Sequence, residues 1–368
     1  MEILVRRSDL VKELQLVQGI VERKNSIPIL SNVLVEADGE RLRISATDLD
    51  VSLRCGCSAQ VVRAGAVTLG AKKLYEIARS LPESDVRIDV QADAWATIEC
   101  ERVHFKIAGL PREDFPSLPD ARPGKAIDIP AGVLAALIQR TAFAITAEDA
   151  RYYLAGALLI LEDGQAAMVA TDGHRLAWAE RKGELKAPEG VKVLVPRKAI
   201  SELGRLIEGE ESVGFQRADG HLLFTAGGRI LASKMVEAQF PAYEKVIAVT
   251  GDKKLKLSRD ALQSAIRRVS LLSSERNRAI RVALEDGRLE LSASSPDLGE
   301  ARESLSVDYT GDSVEIGFNA QYLLDFLSIA GTDDVGLELR DAESQGLLRP
   351  LGDPDTDDYR YVVMPMRF

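Results

Sequence analysis

The chain has 368 residues, with 47 Lys and Arg against 57 Asp and Glu, a formal net charge of −10 and three cysteines, Cys55, Cys57 and Cys100. An odd, clustered set of cysteines excludes a disulfide framework and points to a reducing, cytosolic compartment, where the plainest reading is three buried small hydrophobes. The opening MEILVRRSDL lacks the apolar core of a secretory signal, and the longest apolar run, residues 153–161, is too short to span a bilayer, so no membrane association is expected.

In chain order, a short strand leads into an apolar run at helical spacing, Leu10, Leu14, Val17 and Val21. LRISATDLDVSL (42–53) alternates and then breaks into a polar turn, AKKLYEIARSLP (71–82) predicts a second helix, and Phe115-Pro116 precedes the turn-rich linker Asp120-Ala121-Arg122-Pro123-Gly124. The same order returns with a helix from Leu134 and Ile138, then AAMVATDGHRLA (166–177), PRKAISELGRLIEG (196–209), Phe240-Pro241 and a linker at 250–253. It returns once more with Leu262 and Ile266, LELSASSPDLGE (289–300), NAQYLLDFLSIAG (319–331) and Met364-Pro365. Ala46, Ala170 and Ala293 stand 124 and 123 residues apart, and the Phe-Pro, Phe-Pro and Met-Pro pairs 125 and 124 apart. Two markers on one period predict three copies of one domain, 1–122, 123–249 and 250–368. Each copy reads as two helices and about eight strands, an α+β domain whose sheets pack against a helical layer.

The acidic total hides a basic subset. The six helical segments (8–24, 71–82, 130–146, 196–209, 258–278 and 319–331) hold 15 Lys and Arg against 9 Asp and Glu, leaving 32 against 48 elsewhere. If these helices line one surface, that surface attracts phosphate while the remainder repels it. The alternative is a set of ordinary solvated helix faces.

Little supports catalysis or a cofactor. His104, His174 and His221 lie at no metal-ligand spacing, and there is no GxxxxGK[ST] or helix-opening GxGxxG; Gly227-Gly228 reads as a hairpin turn. Asp172-Gly173-His174-Arg175 could hold an acid beside a histidine, but Asp-Gly is a common turn and no GxSxG elbow accompanies it. An enzyme centred on Asp172 and His174 and a monomeric DNA-binding module remain the alternatives from other classes.

IPILSNVL (27–34), RYYLAG (151–156), TDGHRLA (171–177), the Phe-Pro followed by Tyr243, and YVVMPMRF (361–368) closely resemble signatures of the bacterial DNA polymerase III β subunit family, the sliding clamps. The likeness runs from the first helix to the last residue. It implies a head-to-tail homodimer of three-domain clamp subunits, closed into a ring with twelve helices around double-stranded DNA. The ring would be a non-enzymatic tether for the replicative polymerase, without cofactors, dependent on an ATP-driven clamp loader and open to other proteins carrying clamp-binding peptides. By the same resemblance the peptide pocket is Leu154, Thr171, Gly173, His174, Arg175, Leu176, Pro241, Val246, Val362, Met364, Pro365, Met366 and Arg367. DNA contacts fall to Arg23, Lys72, Lys73, Arg151, Tyr152, Tyr153, Arg197 and Lys198, with Tyr152 and Tyr153 alternatively core residues. The subunit interface places Phe105 and Ile107 against Leu271 and Leu272, with Lys73 and Arg102 meeting Glu300 and Glu303; a buried helix end is the other reading of Leu271-Leu272. Glu148, where family members can carry a neutral amide, and the Pro- and Asp-rich stretch 345–360 depart from the pattern.

Overall fold

The computed structural model describes residues 1–21, 27–121, 126–146, 149–183, 185–187, 189–274, 278–352 and 358–367. Arg23, Glu148 and part of the 345–360 stretch lie outside them. The chain forms two compact units, residues 1–132 with 198–235 and residues 133–197 with 236–368.

Six helices of ten or eleven residues come two to a repeat: α1 (Arg7–Val17), α2 (Ala71–Ser80), α3 (Ala131–Thr141), α4 (Arg197–Leu206), then, after the one-turn α5 (Tyr243–Ile247), α6 (Arg259–Val269) and α7 (Ala320–Ile329). The apolar spacing dictates which face each one buries. In α6, Leu262, Ala265, Ile266 and Val269 fall at i, i+3, i+4 and i+7 and are buried, leaving Arg267 and Arg268 outside. Ser258 caps the start of α6 by accepting from the Ala261 amide, and Asn319 does the same for α7 from Gln321. Within these six helices stand 12 Lys and Arg against 6 Asp and Glu, and two of the acids, Glu13 and Glu202, are buried. The basic bias predicted from the sequence is therefore stronger on the solvent side.

The first unit is built on a thirteen-stranded sheet and the second on sheets of eight and four strands, with all pairings antiparallel. Nine, eight and eight strands fall in the three repeats among the described residues. The strands that follow the polar turns, Val51–Ser58, Arg175–Lys182 and Gly299–Ser306, begin 124 residues apart each time. Two sheets run on from repeat to repeat. Val51–Ser58 of the first pairs with Arg229–Lys234 of the second, Leu53 opposite Leu231; Arg175–Lys182 of the second pairs with Asp358–Val363 of the third, Ala177 opposite Tyr361. We call these the first and second joints. The central repeat consequently divides its strands, four in each sheet.

The second sequence marker does not keep its register. Phe115 lies five residues beyond the strand Val103–Leu110 and Phe240 six beyond Arg229–Lys234, but Met364 directly follows Asp358–Val363. The two Phe-Pro pairs are equivalent to each other; Met364 answers to Lys234 instead. Gly227 and Gly228 do form a two-residue hairpin turn, with φ of 54° and 77°, as both central positions of a type I′ turn require. No helix among the described residues is long and apolar enough to cross a membrane.

Candidate functional site at the second joint

The turn at 171–175 ties itself together through short side chains. Thr171 Oγ1 donates to the Arg175 carbonyl at 2.6 Å and accepts from the Gly173 amide at 3.1 Å. Asp172 Oδ1 accepts from the amides of His174 (2.9 Å) and Arg175 (3.0 Å). Gly173 has φ of 88°, the left-handed region that glycine enters without a Cβ penalty. The turn delivers the chain into Arg175–Lys182, and the joint ladder is extended by Met364, whose amide donates to the His174 carbonyl at 2.8 Å. Met366 is then held by its amide on the Gly317 carbonyl at 2.8 Å.

The residues assigned to a pocket by resemblance separate into a floor and a rim. Leu176 and Val362 are buried in one cluster with Trp178, Tyr243 and Leu347, and Phe240, Val246 and Ile247 pack against it. Tyr243 stacks on Trp178 at 5.4 Å, which fixes α5 and the segment from Pro241 to Val246 beside the joint. Leu154 and Thr171 are also buried. Gly173, His174, Met364 and Arg367 are exposed, with Met364 at 42 %, and Pro365 and Met366 are half-buried. The joint thus carries an apolar floor rimmed by a flexible thioether and an imidazole.

Arg175 departs from its expected role as a lining group. Its side chain is only 10 % exposed: Nε donates to Asp172 Oδ2 at 3.1 Å, Nη1 to Asp325 and Nη2 to the Phe143 carbonyl at 2.6 Å. It also lies over the rings of Tyr322 (4.5 Å) and Phe143 (5.3 Å). Burial alone would lower its pKa, but Tyr361, Asp325 and Asp172 raise it above the ordinary value, so the charge is retained. Arg175 pins the turn to α7 of the third repeat. Asp172 and His174 meet only through this scaffold, with the carboxylate spent on the His174 amide and on Arg175. Among the described residues no group of three or more acidic, His or Cys side chains could hold a metal ion.

The described residues assigned to DNA belong to both units, Lys72, Lys73 and Lys198 to the first and Arg151, Tyr152, Tyr153 and Arg197 to the second. Lys72 and Lys73 project from α2 and share Glu76, at 3.9 and 2.6 Å. Tyr152 is 62 % exposed and stands edge-on to Tyr153, which answers the core alternative for Tyr152. Arg151 instead donates to the Asp172 carbonyl at 2.8 Å, and Lys198 to Asp48 and to the Ile20 carbonyl at 2.8 Å. Both cations therefore have structural duties that sequence reading missed. Arg197 is exposed.

Of the strands equivalent to those that meet at the two joints, two keep an open edge. Val103–Leu110 pairs along Trp95–Cys100, but on its other side only Gly109 and Leu110 are matched, by Leu69 and Thr68. Gly299–Ser306 pairs with Arg288–Ser295 alone. Phe105 and Ile107 are half-buried on the first and Leu271 is 76 % exposed near the second, where the 3-10 turn Ser270–Leu272 touches that strand. Glu303 is gripped by Arg268 at 2.5 and 2.8 Å, which holds its carboxyl below the usual range, and Glu300 lies 3.3 Å from Arg302.

The sequence matches the family models of the DNA polymerase III beta subunit in all three parts: the N-terminal domain over residues 1–119, the central domain over 128–242 and the C-terminal domain over 244–367. The beta sliding clamp of Pseudomonas aeruginosa is 40 % identical over 370 residues and that of Caulobacter vibrioides 39 % over 378, each covering 100 % of both chains. A crystal structure of the sliding clamp from Pseudomonas aeruginosa bound to griselimycin superposes with a TM-score of 0.93 at 38 % identity, covering 100 % of both chains.

Proposed function

This chain belongs to the DNA polymerase III beta subunit family, the beta sliding clamps, and on that premise we propose that two copies close head to tail into a ring around duplex DNA. The protein is a DNA sliding clamp, a processivity factor and not a catalyst. Its domains fall at 1–122, 123–249 and 250–368, and it works in the cytoplasm.

The observation that carries ring closure is the pair of open edges. Each internal joint lays the strand after a polar turn against the last hairpin strand of the next repeat. After two joints one strand of each kind is left over, Gly299–Ser306 and Val103–Leu110. Paired antiparallel, the two edges can bring like positions together, because Phe105 and Ile107 on one and Ala301 and Glu303 on the other are all half-buried and alternate with exposed residues. Such a head-to-tail contact covers both edges when its rotation closes. Leu271 and Leu272 supply the apolar anchor. Lys73 and Arg102 face Glu300 and Glu303; because Lys73 and both acids already have intrachain partners, these pairs contribute little and weaken with salt. Replacing both leucines by alanine shifts the dimer towards monomer in sedimentation velocity; an unchanged dimer refutes the anchor.

Lys72, Lys73, Arg151, Tyr152, Tyr153, Arg197 and Lys198 serve the DNA path, with Arg151 and Lys198 acting through their outer donors while holding the turns. Contacts of this kind bind phosphate without sequence preference, so retention is topological and sliding stays fast. The floor and rim at the second joint take the linear peptides of the replicative polymerase and other partners, and tethering then acts by effective concentration. The ring is opened and placed on DNA by an ATP-driven loader. The deciding experiment loads the protein on nicked circular DNA and follows release before and after linearisation. Release on linearisation is expected; equal escape from both forms would refute the clamp.

A further inference from the structure

We propose that the cleft at the first joint is a second peptide-docking site, which takes an extended segment bearing an apolar anchor beside an arginine or lysine. A cavity of about 490 Å³ lies there, wholly within the first unit. Its turn and its cross-joint ladder repeat those of the second joint bond by bond. Thr47 Oγ1 donates to the Val51 carbonyl at 3.2 Å and accepts from the Leu49 amide at 3.0 Å, as Thr171 does with Arg175 and Gly173. Asp48 Oδ1 accepts from the amides of Asp50 (2.9 Å) and Val51 (2.7 Å), as Asp172 does from His174 and Arg175. Across the joint the Lys234 amide donates to the Asp50 carbonyl at 2.8 Å, the counterpart of Met364 on His174 at 2.8 Å. Pro116 lines the cavity where its equivalent, Pro241, flanks the other.

The chemistry on this shared frame has changed in two respects. Leu49 stands where the second joint has Gly173, with φ of 81°, and its side chain is 44 % exposed. Leucine is disfavoured in the left-handed region, and an exposed side chain gains little burial to offset that. The turn thus presents an apolar group to solvent at the mouth of a cavity, the arrangement of an unfilled anchor point. The charge has also reversed. Asp50, Asp120 and Asp219 border the cleft; Lys234 lies 3.0 Å from Asp50, and Arg54 reaches Asp120 at 3.0 Å from outside it. At the second joint the charge of Arg175 is met by Asp172 and Asp325, and the exposed charged residue of the proposed pocket is Arg367. A cationic segment complements the first cleft, and DNA phosphate does not.

The inference rests on the second joint being a peptide pocket, and the two can fail separately. Two fluorescein-labelled hexapeptides, each with two leucines, carry either two arginines or two glutamates at the same places and are titrated into the full-length protein by anisotropy. The arginine peptide is expected to bind at least tenfold more tightly than the glutamate peptide, to lose at least tenfold in Leu49→Gly and to change less than twofold in Met364→Ala. Glycine adopts a φ of 81° freely, so Leu49→Gly keeps the turn, and a melting curve verifies it. No binding at millimolar protein, equal binding to Leu49→Gly, equal binding of the two peptides, or loss in Met364→Ala would each overturn the first-joint site. A polymerase-derived peptide insensitive to Met364→Ala would overturn the second-joint pocket instead.

Discussion

The first joint is pinned by buried ion pairs, the second by one arginine set between aromatic rings. At the first, Arg229 donates to Glu13 at 2.6 and 3.0 Å and to Glu210 at 3.1 Å, with the Arg229 and Glu13 side chains 10 % and 4 % exposed. Hydrogen bonding to Glu13 holds the Arg229 pKa above its ordinary value against burial. At the second, Tyr359 stands opposite the corresponding place in the ladder, packed on Phe326, and Arg175 carries the charge from the turn itself. Both turns use their aspartate alike, one oxygen for backbone amides and the other for a cation. That cation is Lys198 of α4 in one case and Arg175 in the other. The turn thus keeps its geometry between the first two repeats because its own bonds are local, while the side chains that lock a joint are free to be replaced.

The contrast can be broken most forcefully at Arg229. Arg229→Ala leaves Glu13 buried without a counter-charge and is expected to cost about 3–5 kcal/mol in denaturant unfolding, whereas Arg229→Met with Glu13→Leu recovers most of it. A loss below about 1 kcal/mol for the single change would mean that the ion pair does not lock the joint. Arg175→Ala removes three side-chain hydrogen bonds or ion pairs and two ring contacts, though Asp172 keeps its amide partners and Asp325 accepts from Gln321. A cost of about 2–4 kcal/mol is expected, together with at least tenfold weaker binding of a polymerase peptide; Arg175→Lys should recover less than half, lacking the planar fork. Unaltered peptide affinity would separate the pin from the pocket.

The smallest effect lies at Glu202, on α4 against Gly19, where a Cβ on Gly19 would come within 2.1 Å of the carboxylate. Burial raises the Glu202 pKa despite Arg205, so its folded value exceeds the unfolded one. Its contribution to stability is therefore full below the unfolded value of about 4.3 and declines as pH rises through the folded value. Glu202→Gln is expected to gain on the wild type between pH 4 and pH 7 in melting temperature. A constant difference across that range would place the carboxylate in water.

Much of this was legible from the residues. Apolar periodicity located six helices in three pairs, and the alanine spacing matched strands that begin 124 residues apart. Those signals are local, which is why they can be read. Glu13 and Arg229 lie 216 positions apart and carry no local mark of each other, so the pair is not legible in the sequence. The resemblance assigns Arg175 to the peptide pocket and Lys198 to DNA, and the sequence carries no mark of the carboxylate that each one meets. The Met-Pro pair misled for the opposite reason: its spacing agreed with the two Phe-Pro pairs, but it ends a strand and they follow a linker.

The divided central repeat has a consequence for how such a chain can be altered. Residues 128–242 match a family domain in sequence, yet their strands are shared between two sheets. Excised, they would present Arg229–Lys234 and Arg175–Lys182 as bare edges open to any passing strand. The repeat is a unit of copying without being a unit of folding: a duplication can add to this molecule, but nothing can be lifted out of its middle without unravelling the sheets on both sides.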